Sequence, residues 1–252
     1  MSRARPLRSS AGVLQGRRAL VVGAGGLGTP ALLALADSGA TLVIADDDVV
    51  ELSNLHRQIL FSESDVGRHK LDAVRDALEK EGVSPTRIEL VRSRFLPENA
   101  VELARGVDIV LEGSDNFATK FLAADAAHLA GRPVVHGAAV RLEGTVWCVP
   151  ARGAPCYRCL FEDVPGGAQQ GCSEAGVLAP VVGICGALMA ELALRALCGL
   201  DAYEGSLIAV NGRRNRLRRV PVAARQSCPL CGEAPSIFEI VETRYTAPSC
   251  AA

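Results

Sequence analysis

Aromatic side chains are scarce in this chain: six Phe, three Tyr and one Trp make up 4% of its 252 residues. Hydrophobic residues still account for 49%, so the core must be aliphatic, built from Val, Leu, Ile and Ala. Net charge is nearly absent too, at a formal −1, and no whole-molecule field draws the chain to nucleic acid or to an anionic membrane. A secretory signal is missing, because Arg3, Arg5 and Arg8 are not followed by the roughly 7–15-residue apolar core that one requires. The longest uncharged apolar segment, residues 175–190, is shorter than the roughly 18–20 residues of a membrane span. It contains Pro180, Gly183 and Gly186, and Glu191 and Arg195 follow at helical spacing, so it reads as a buried core helix. Nine cysteines is an odd number, and without a signal a disulfide framework is not expected. In a reducing cytoplasm, the expected location, they should bind metal or do chemistry.

Length suits one large α/β domain with an appendage. Apolar runs at 19–23, 41–46 and 107–112 and an alternating segment at 87–92 read as strands, and 27–38, 66–82 and 118–130 as helices. This alternation implies right-handed βαβ units, hence a Rossmann-like, mostly parallel sheet with helices on both faces. Strands at 133–140 and 145–149, parted by Glu143-Gly144, predict an antiparallel extension. We divide the chain into a flexible leader (1–16), a nucleotide-binding region (17–150), a crossover loop, core helix and C-terminal region of the same domain (151–240), and a disordered tail (241–252). A local basic run, Arg213-Arg214-Asn215-Arg216-Leu217-Arg218-Arg219, contradicts the neutral average. It reads as a solvated strand face or as a docking patch for an acidic partner.

Gly23-x-Gly25-x-x-Gly28 fits the dinucleotide fingerprint, and Asp46 lies 18 residues after Gly28, at the ribose-binding position. Glycine allows the tight turn and lets phosphate approach backbone N–H groups at the helix start. An NAD(P) enzyme, a flavoprotein and an ATP-using protein would all show this pattern. The next segment separates them. Ser53, Asn54, Arg57, Gln58 and Lys70 supply polar groups and two cations suited to phosphate oxygens. Asp115 follows the strand at 107–112, at the carboxyl edge where ligands bind in an open α/β sheet. Facing a triphosphate, it would hold Mg²⁺. Its bland alternative is the N-cap of the following helix.

Seven motifs occur together: Gly-Ala-Gly-Gly-Leu-Gly, Ala-Asp-Asp-Asp, Leu-Ser-Asn-Leu-His-Arg-Gln, Ser114-Asp115-Asn116, Cys156-Tyr157-Arg158-Cys159-Leu160, Cys172-Ser173-Glu174-Ala175-Gly176-Val177 and Cys228-Pro229-Leu230-Cys231. In that order they resemble the ThiF/MoeB/HesA family, bacterial relatives of ubiquitin-activating enzymes. The resemblance runs from about residue 17 to 232. It implies ATP-dependent adenylation of the C-terminal glycine carboxylate of a small ubiquitin-like sulfur carrier, ThiS- or MoaD-like, with release of pyrophosphate. It also implies that Gly25, Asp46, Ser53, Asn54, Arg57, Lys70, Ser114 and Asp115 are ATP-site positions. Asp115 would be the Mg²⁺-associated catalytic acid and Arg57 a catalytic cation. A homodimer is the family expectation. The reading competes with an NAD(P)-dependent oxidoreductase and with a silent module that only docks a ubiquitin-like tail.

Cys156-x-x-Cys159 and Cys228-x-x-Cys231 have the spacing of two zinc half-sites, which would staple the crossover loop to the C-terminal region. Four thiolates leave no open position, so that Zn²⁺ is structural. Cys172 precedes an apolar helix whose N-terminus would favour thiolate. In the thiamine branch of the family a cysteine here takes part in sulfur transfer, and an unused thiol is the alternative. Cys148, Cys185 and Cys198 read as core residues. His56 reads as orienting its loop, and His136 as a hydrogen-bonded core residue ending its strand. The family's Arg-Tyr-x-Arg segment before the glycine turn has no match, since no Tyr precedes Tyr157. No sulfur-transfer domain follows, so a separate persulfide-bearing donor protein is expected.

Overall fold

The computed structural model describes residues 12–165, 176–202 and 205–245. Its spine is one eight-stranded sheet: β1 (Arg18–Val22), β2 (Thr41–Ala45), β3 (Ile88–Val91), β4 (Ile109–Glu112), β5 (Val134–Val140), β6 (Glu143–Val149), β7 (Ser206–Asn211) and β8 (Arg216–Pro221). Spatial order is β3-β2-β1-β4-β5-β6-β7-β8. The first five strands are parallel, and β6, β7 and β8 continue the sheet antiparallel. The helices are α1 (Gly28–Leu35), α2 (Lys70–Lys80), α3 (Ala100–Arg105), α4 (Phe117–Ala130), α5 (Tyr157–Leu160) and α6 (Ala179–Leu197).

Period-two burial builds two cores from one sheet. In β1, Ala19 and Val21 join the core under α1, α2 and α6, while Leu20 and Val22 join the core under α3 and α4. All four are fully or nearly fully buried, as a strand covered on both faces requires. Helix α6 packs Val181, Val182, Cys185, Met189 and Ala193 into the first core. By length and composition it could cross a membrane, yet these contacts identify the core helix expected from sequence. β1 pairs with both β2 and β4, so the chain reverses direction of winding there, and a crevice opens at the strands' carboxyl ends.

Several expectations need correction. The second helix begins at Lys70, not residue 66, because Gly67 has φ +83° and a short bridge pairs Val49 with His69. The turn between β5 and β6 falls at Arg141-Leu142, where Arg141 has φ +54°, and Glu143-Gly144 lies within β6. Gly144 is needed inside the strand because a Cβ there would strike Cys185 on α6. Helix α3 had no periodic signal in its six residues. Leu14, inside the expected leader, is buried, and its N–H bonds Ser38. Glu242–Tyr245, inside the expected tail, form a short helix that buries Tyr245. Cys148 and Cys185 are buried as expected, whereas Cys198 is exposed, because it caps α6 beyond the core.

Candidate active site

A cavity of about 660 Å³ opens at the crevice, a size suited to a nucleotide-scale ligand. Gly25, Asp46, Ser53, Asn54, Arg57, Lys70, Ser114 and Asp115 all line it. The glycine turn forms because nothing else fits. Gly23 has φ +90°, and a Cβ on Gly28 would collide with the Gly23 carbonyl. Asp46, nearly buried, braces the turn by accepting the Ala24 N–H at 2.7 Å and the Asp48 N–H at 2.8 Å. Leu27 at the N-cap of α1 offers no side-chain bond, but Thr29 donates its N–H to the Gly25 carbonyl at 3.0 Å and Pro30 has none, so in the helix's first three residues only the Gly28 N–H is left for an anion.

The polar arm crosses the mouth. Ser53 Oγ and Asn54 Nδ2 donate to Glu51 Oε2 at 3.3 and 3.0 Å, and His56 Nδ1 lies 3.0 Å from the Ser53 carbonyl, which supports its loop-orienting role. The Arg57 side chain lies over Gly26, so closely that a Cβ there would crowd it. Its guanidinium has no carboxylate within ion-pair distance among the described residues. Lys70 opens α2, is itself buried, and places Nζ 2.7 Å from Asp48 Oδ2 and 3.8 Å from Asp46 Oδ1.

Opposite lies the Ser114-Asp115-Asn116 loop. Asp115 is exposed and has no hydrogen bond or ion pair among the described residues. The N-cap alternative is overturned for it: Asn116 caps α4 by accepting the Thr119 N–H at 2.8 Å. Asp115 is thus a carboxylate with no task in the fold, facing the cavity.

Beneath that loop sits a buried group that sequence reasoning missed. Glu112 accepts the Ser114 N–H at 2.7 Å and the Lys120 ammonium at 2.8 Å, and Lys120 also donates to the Gly137 carbonyl at 2.6 Å. Burial opposes ionisation of Glu112, but the Lys120 ammonium holds its carboxyl below the usual range. An acid ending an apolar strand, with a lysine inside an otherwise apolar helix face, was the available signal. His136 lies within β5 rather than at its end, and the expected hydrogen bonds are absent among the described residues: neither ring nitrogen has a hydrogen-bond partner there, and Nδ1 stands 3.6 Å from Glu112. Burial pushes its pKa down, keeping the ring neutral, and it stacks on Tyr157 at 4.5 Å.

The four cysteines of the two knuckles meet, with all sulfurs within 4.8 Å of one another. Cys156 and Cys228 sulfurs are 3.5 Å apart, and Cys159 and Cys231 3.4 Å. Tetrahedral Zn²⁺ with bonds of about 2.3 Å needs sulfur–sulfur edges of roughly 3.8 Å, so the set fits with small adjustment. The Arg225 N–H donates to Cys159 Sγ at 3.4 Å, the kind of second contact that orients a thiolate. Cys172 lies outside the described residues.

Arg158, between the first two cysteines, has a role the motif did not reveal. Fully buried, it binds Asp125 of α4 through Nε and Nη2 at 2.9 Å each and lies over the Phe121 ring. Tyr245 donates to the same carboxylate at 2.8 Å. Arg158→Ala would strand a buried charge, and we expect a loss of about 3–5 kcal/mol, visible as an earlier urea midpoint. A midpoint within error of the parent would show that this pair contributes little.

The ThiF family profile matches residues 10–230. A sulfur carrier protein adenylyltransferase of Thermus thermophilus is 39% identical over 232 residues, covering 88% of this chain and 85% of that protein. The SAMP-activating enzyme E1 of Haloferax volcanii is 39% identical over 244 residues, covering 95% and 88% respectively. The adenylyltransferase and sulfurtransferase MOCS3 of Anopheles gambiae is 37% identical, but the chain spans only 51% of its length. Among solved structures, E. coli MccB with AMPCPP and MccA has a TM-score of 0.73 at 20% identity, covering 87% of this chain and 67% of MccB. That likeness speaks to the fold. With the whole sheet, the glycine turn and the first cysteine knuckle inside the matched span, the chain belongs to the ThiF family.

Proposed function

We propose that this protein is a nucleotidyltransferase that uses ATP to adenylate the C-terminal glycine carboxylate of a small ubiquitin-like sulfur carrier, releasing pyrophosphate. One observation carries the reading. A single cavity joins a phosphate-ready glycine turn, the cations Arg57 and Lys70, and the unpartnered Asp115. The relatives named a sulfur carrier protein adenylyltransferase and an adenylyltransferase and sulfurtransferase support it. The chemistry needs little else. A peptide α-carboxyl group, with a pKa of about 3.5, is already an ionised nucleophile at neutral pH. No general base is required, and none of the described histidines has to serve as one. The obstacle is bringing an anion onto a polyanion, which positioned cations relieve.

In this scheme Asp46 and the glycine turn hold the nucleotide, and Ser53, Asn54 and Ser114 add hydrogen bonds. Arg57 and Lys70 face the phosphates. Asp115 would hold Mg²⁺, a hard cation that favours one carboxylate together with phosphate oxygens. When bound, the ion supplies charge neutralisation at the triphosphate. The cysteine tetrad would hold a structural Zn²⁺, as suits a reducing cytoplasm. Activation serves sulfur transfer in thiamine or molybdopterin biosynthesis, from a persulfide-bearing donor protein, with Cys172 the candidate for a covalent link to the carrier. A homodimer follows the family expectation.

The test is ATP–pyrophosphate exchange with ThiS- and MoaD-like carriers, followed by intact-mass analysis. An AMP adduct should form on the intact carrier and not on one lacking its last glycine. Absence of exchange with every carrier, together with no MgATP binding, would refute the assignment.

A further inference from the structure

The loop that carries Asp115 lies directly against the glycine turn. A Cβ on Gly23 would come within 3.5 Å of the Ser114 nitrogen and of the Gly113 carbonyl. Ser114, half-buried, lines the cavity beside Asp115, so both residues border the place where a phosphate would meet the turn.

The Ser114 side chain has already spent its proton. Glu112 Oε1 receives the Ser114 N–H at 2.7 Å and the Ser114 hydroxyl as well. The partners fix the direction of that second bond. Glu112 Oε2 takes the Lys120 ammonium at 2.8 Å, and a carboxylate ringed by donors has no proton to give. Lys120 in turn bonds the Gly137 carbonyl at 2.6 Å, which ties Glu112 to β5. The other acceptor near the hydroxyl, the Asn116 carbonyl, stands at 3.5 Å, too far to compete. A hydroxyl has one proton, so Ser114 is left with lone pairs alone, and among the described residues nothing donates to them.

That matters in a cavity built for a triphosphate. Phosphate oxygens are acceptors, and a hydroxyl that cannot donate repels them. It needs a cation or a donor instead. The next residue, Asp115, is an exposed carboxylate that also lacks a partner among the described residues. Two such oxygens on consecutive residues beside a phosphate-binding turn suit a hard divalent cation, for which carboxylate and serine hydroxyl oxygens are ordinary ligands.

We propose that Ser114 Oγ is a ligand, together with Asp115, of the Mg²⁺ that accompanies ATP, and that Glu112 is a positioning residue that keeps the hydroxyl proton turned inward. The inference rests on the adenylation reading and deepens it. Holding a ligand in the right orientation through a buried carboxylate is how a second contact tunes a metal. A serine kept only for the shape of its loop would be satisfied by Glu112, and its loss would leave metal binding untouched.

The experiment measures Mn²⁺, a paramagnetic stand-in for Mg²⁺, binding to protein saturated with AMPCPP, with free ion followed by electron paramagnetic resonance. Ser114→Ala should weaken Mn²⁺ by about tenfold or more, and Glu112→Gln by about tenfold. Ser114→Thr, which keeps the hydroxyl, should bind as wild type does. AMPCPP affinity without a divalent ion should be equal in all four proteins. If Lys120, left without its counter-charge, unfolds Glu112→Gln, the Ala and Thr variants at Ser114 decide alone. Unchanged Mn²⁺ affinity in Ser114→Ala would overturn the assignment and leave adenylation standing. So would a loss already present with AMPCPP alone, or a rise in the exchange KM that vanishes when ATP lacks its 2′- or 3′-hydroxyl, since Ser114 would then be accepting from ribose. A folded Glu112→Gln that binds Mn²⁺ as wild type does would strip Glu112 of its positioning role. Wild type that binds neither AMPCPP nor Mn²⁺ would instead remove the adenylation reading, and the ligand with it.

Discussion

Asp115→Ala should cut ATP–pyrophosphate exchange by about 10²–10³-fold, the scale of losing one preorganised charge at a transition state, while thermal and urea midpoints stay with the parent. The separation follows from the division of labour in one loop. Asn116 caps α4, Glu112 anchors Ser114 from below, and Asp115 bonds to nothing described. Its removal takes away charge without releasing a contact. Glu112→Ala makes the contrast, since it leaves Lys120 buried without its counter-charge and should cost stability as well as rate. Exchange within a few-fold of wild type in Asp115→Ala would remove that carboxylate from the mechanism.

Stripping the cysteine tetrad should have the other large effect, this time on structure. Metal analysis should find one zinc per chain, and Cys228→Ser or a strong chelator should release it. Small zinc peptides draw about 10–16 kcal/mol from their metal and are unfolded without it. Here the sheet has its own aliphatic cores, so the loss should be local: the segment from residue 222 to 245 should detach and become open to proteolysis. Detachment would withdraw Tyr245 from Asp125, and because Tyr157 and Tyr245 line the cavity, exchange should fall too. A zinc-free protein whose C-terminal segment resists protease would show that the thiols need no ligand.

Sequence carried most of the fold because its signals were local and redundant. Three apolar runs and an alternating one, a glycine turn and intervening amphipathic helices leave little freedom in an α/β chain. All eight residues expected around the nucleotide converge on one cavity, since the carboxyl ends of β1, β2 and β4 bring their loops together. Illegible were the interactions that depend on pairs distant in sequence. Arg158 with Asp125, 33 residues apart, and Tyr245 with Asp125, 120 apart, have no periodic signature. Glu112 with Lys120 is nearer, and there an acid ending an apolar strand and a lysine in an apolar helix face did leave a signal, though not one that pairs them. The turn at Arg141-Leu142 was misplaced for a related reason: Gly144 resembles a turn glycine, but it is there to let α6 approach β6.

The contact between Lys70 and Asp48 has a consequence for turnover. Nζ is shielded, but the Asp48 carboxyl reaches out to water with 67% of its side chain exposed. The resting pocket thus carries a stand-in anion on an exposed arm. An arriving nucleotide must displace that arm, so its net grip is the difference between two attractions. When pyrophosphate departs, the arm can pair again with the ammonium, so a side chain that touches no reacting atom weakens the hold on ATP and pyrophosphate alike.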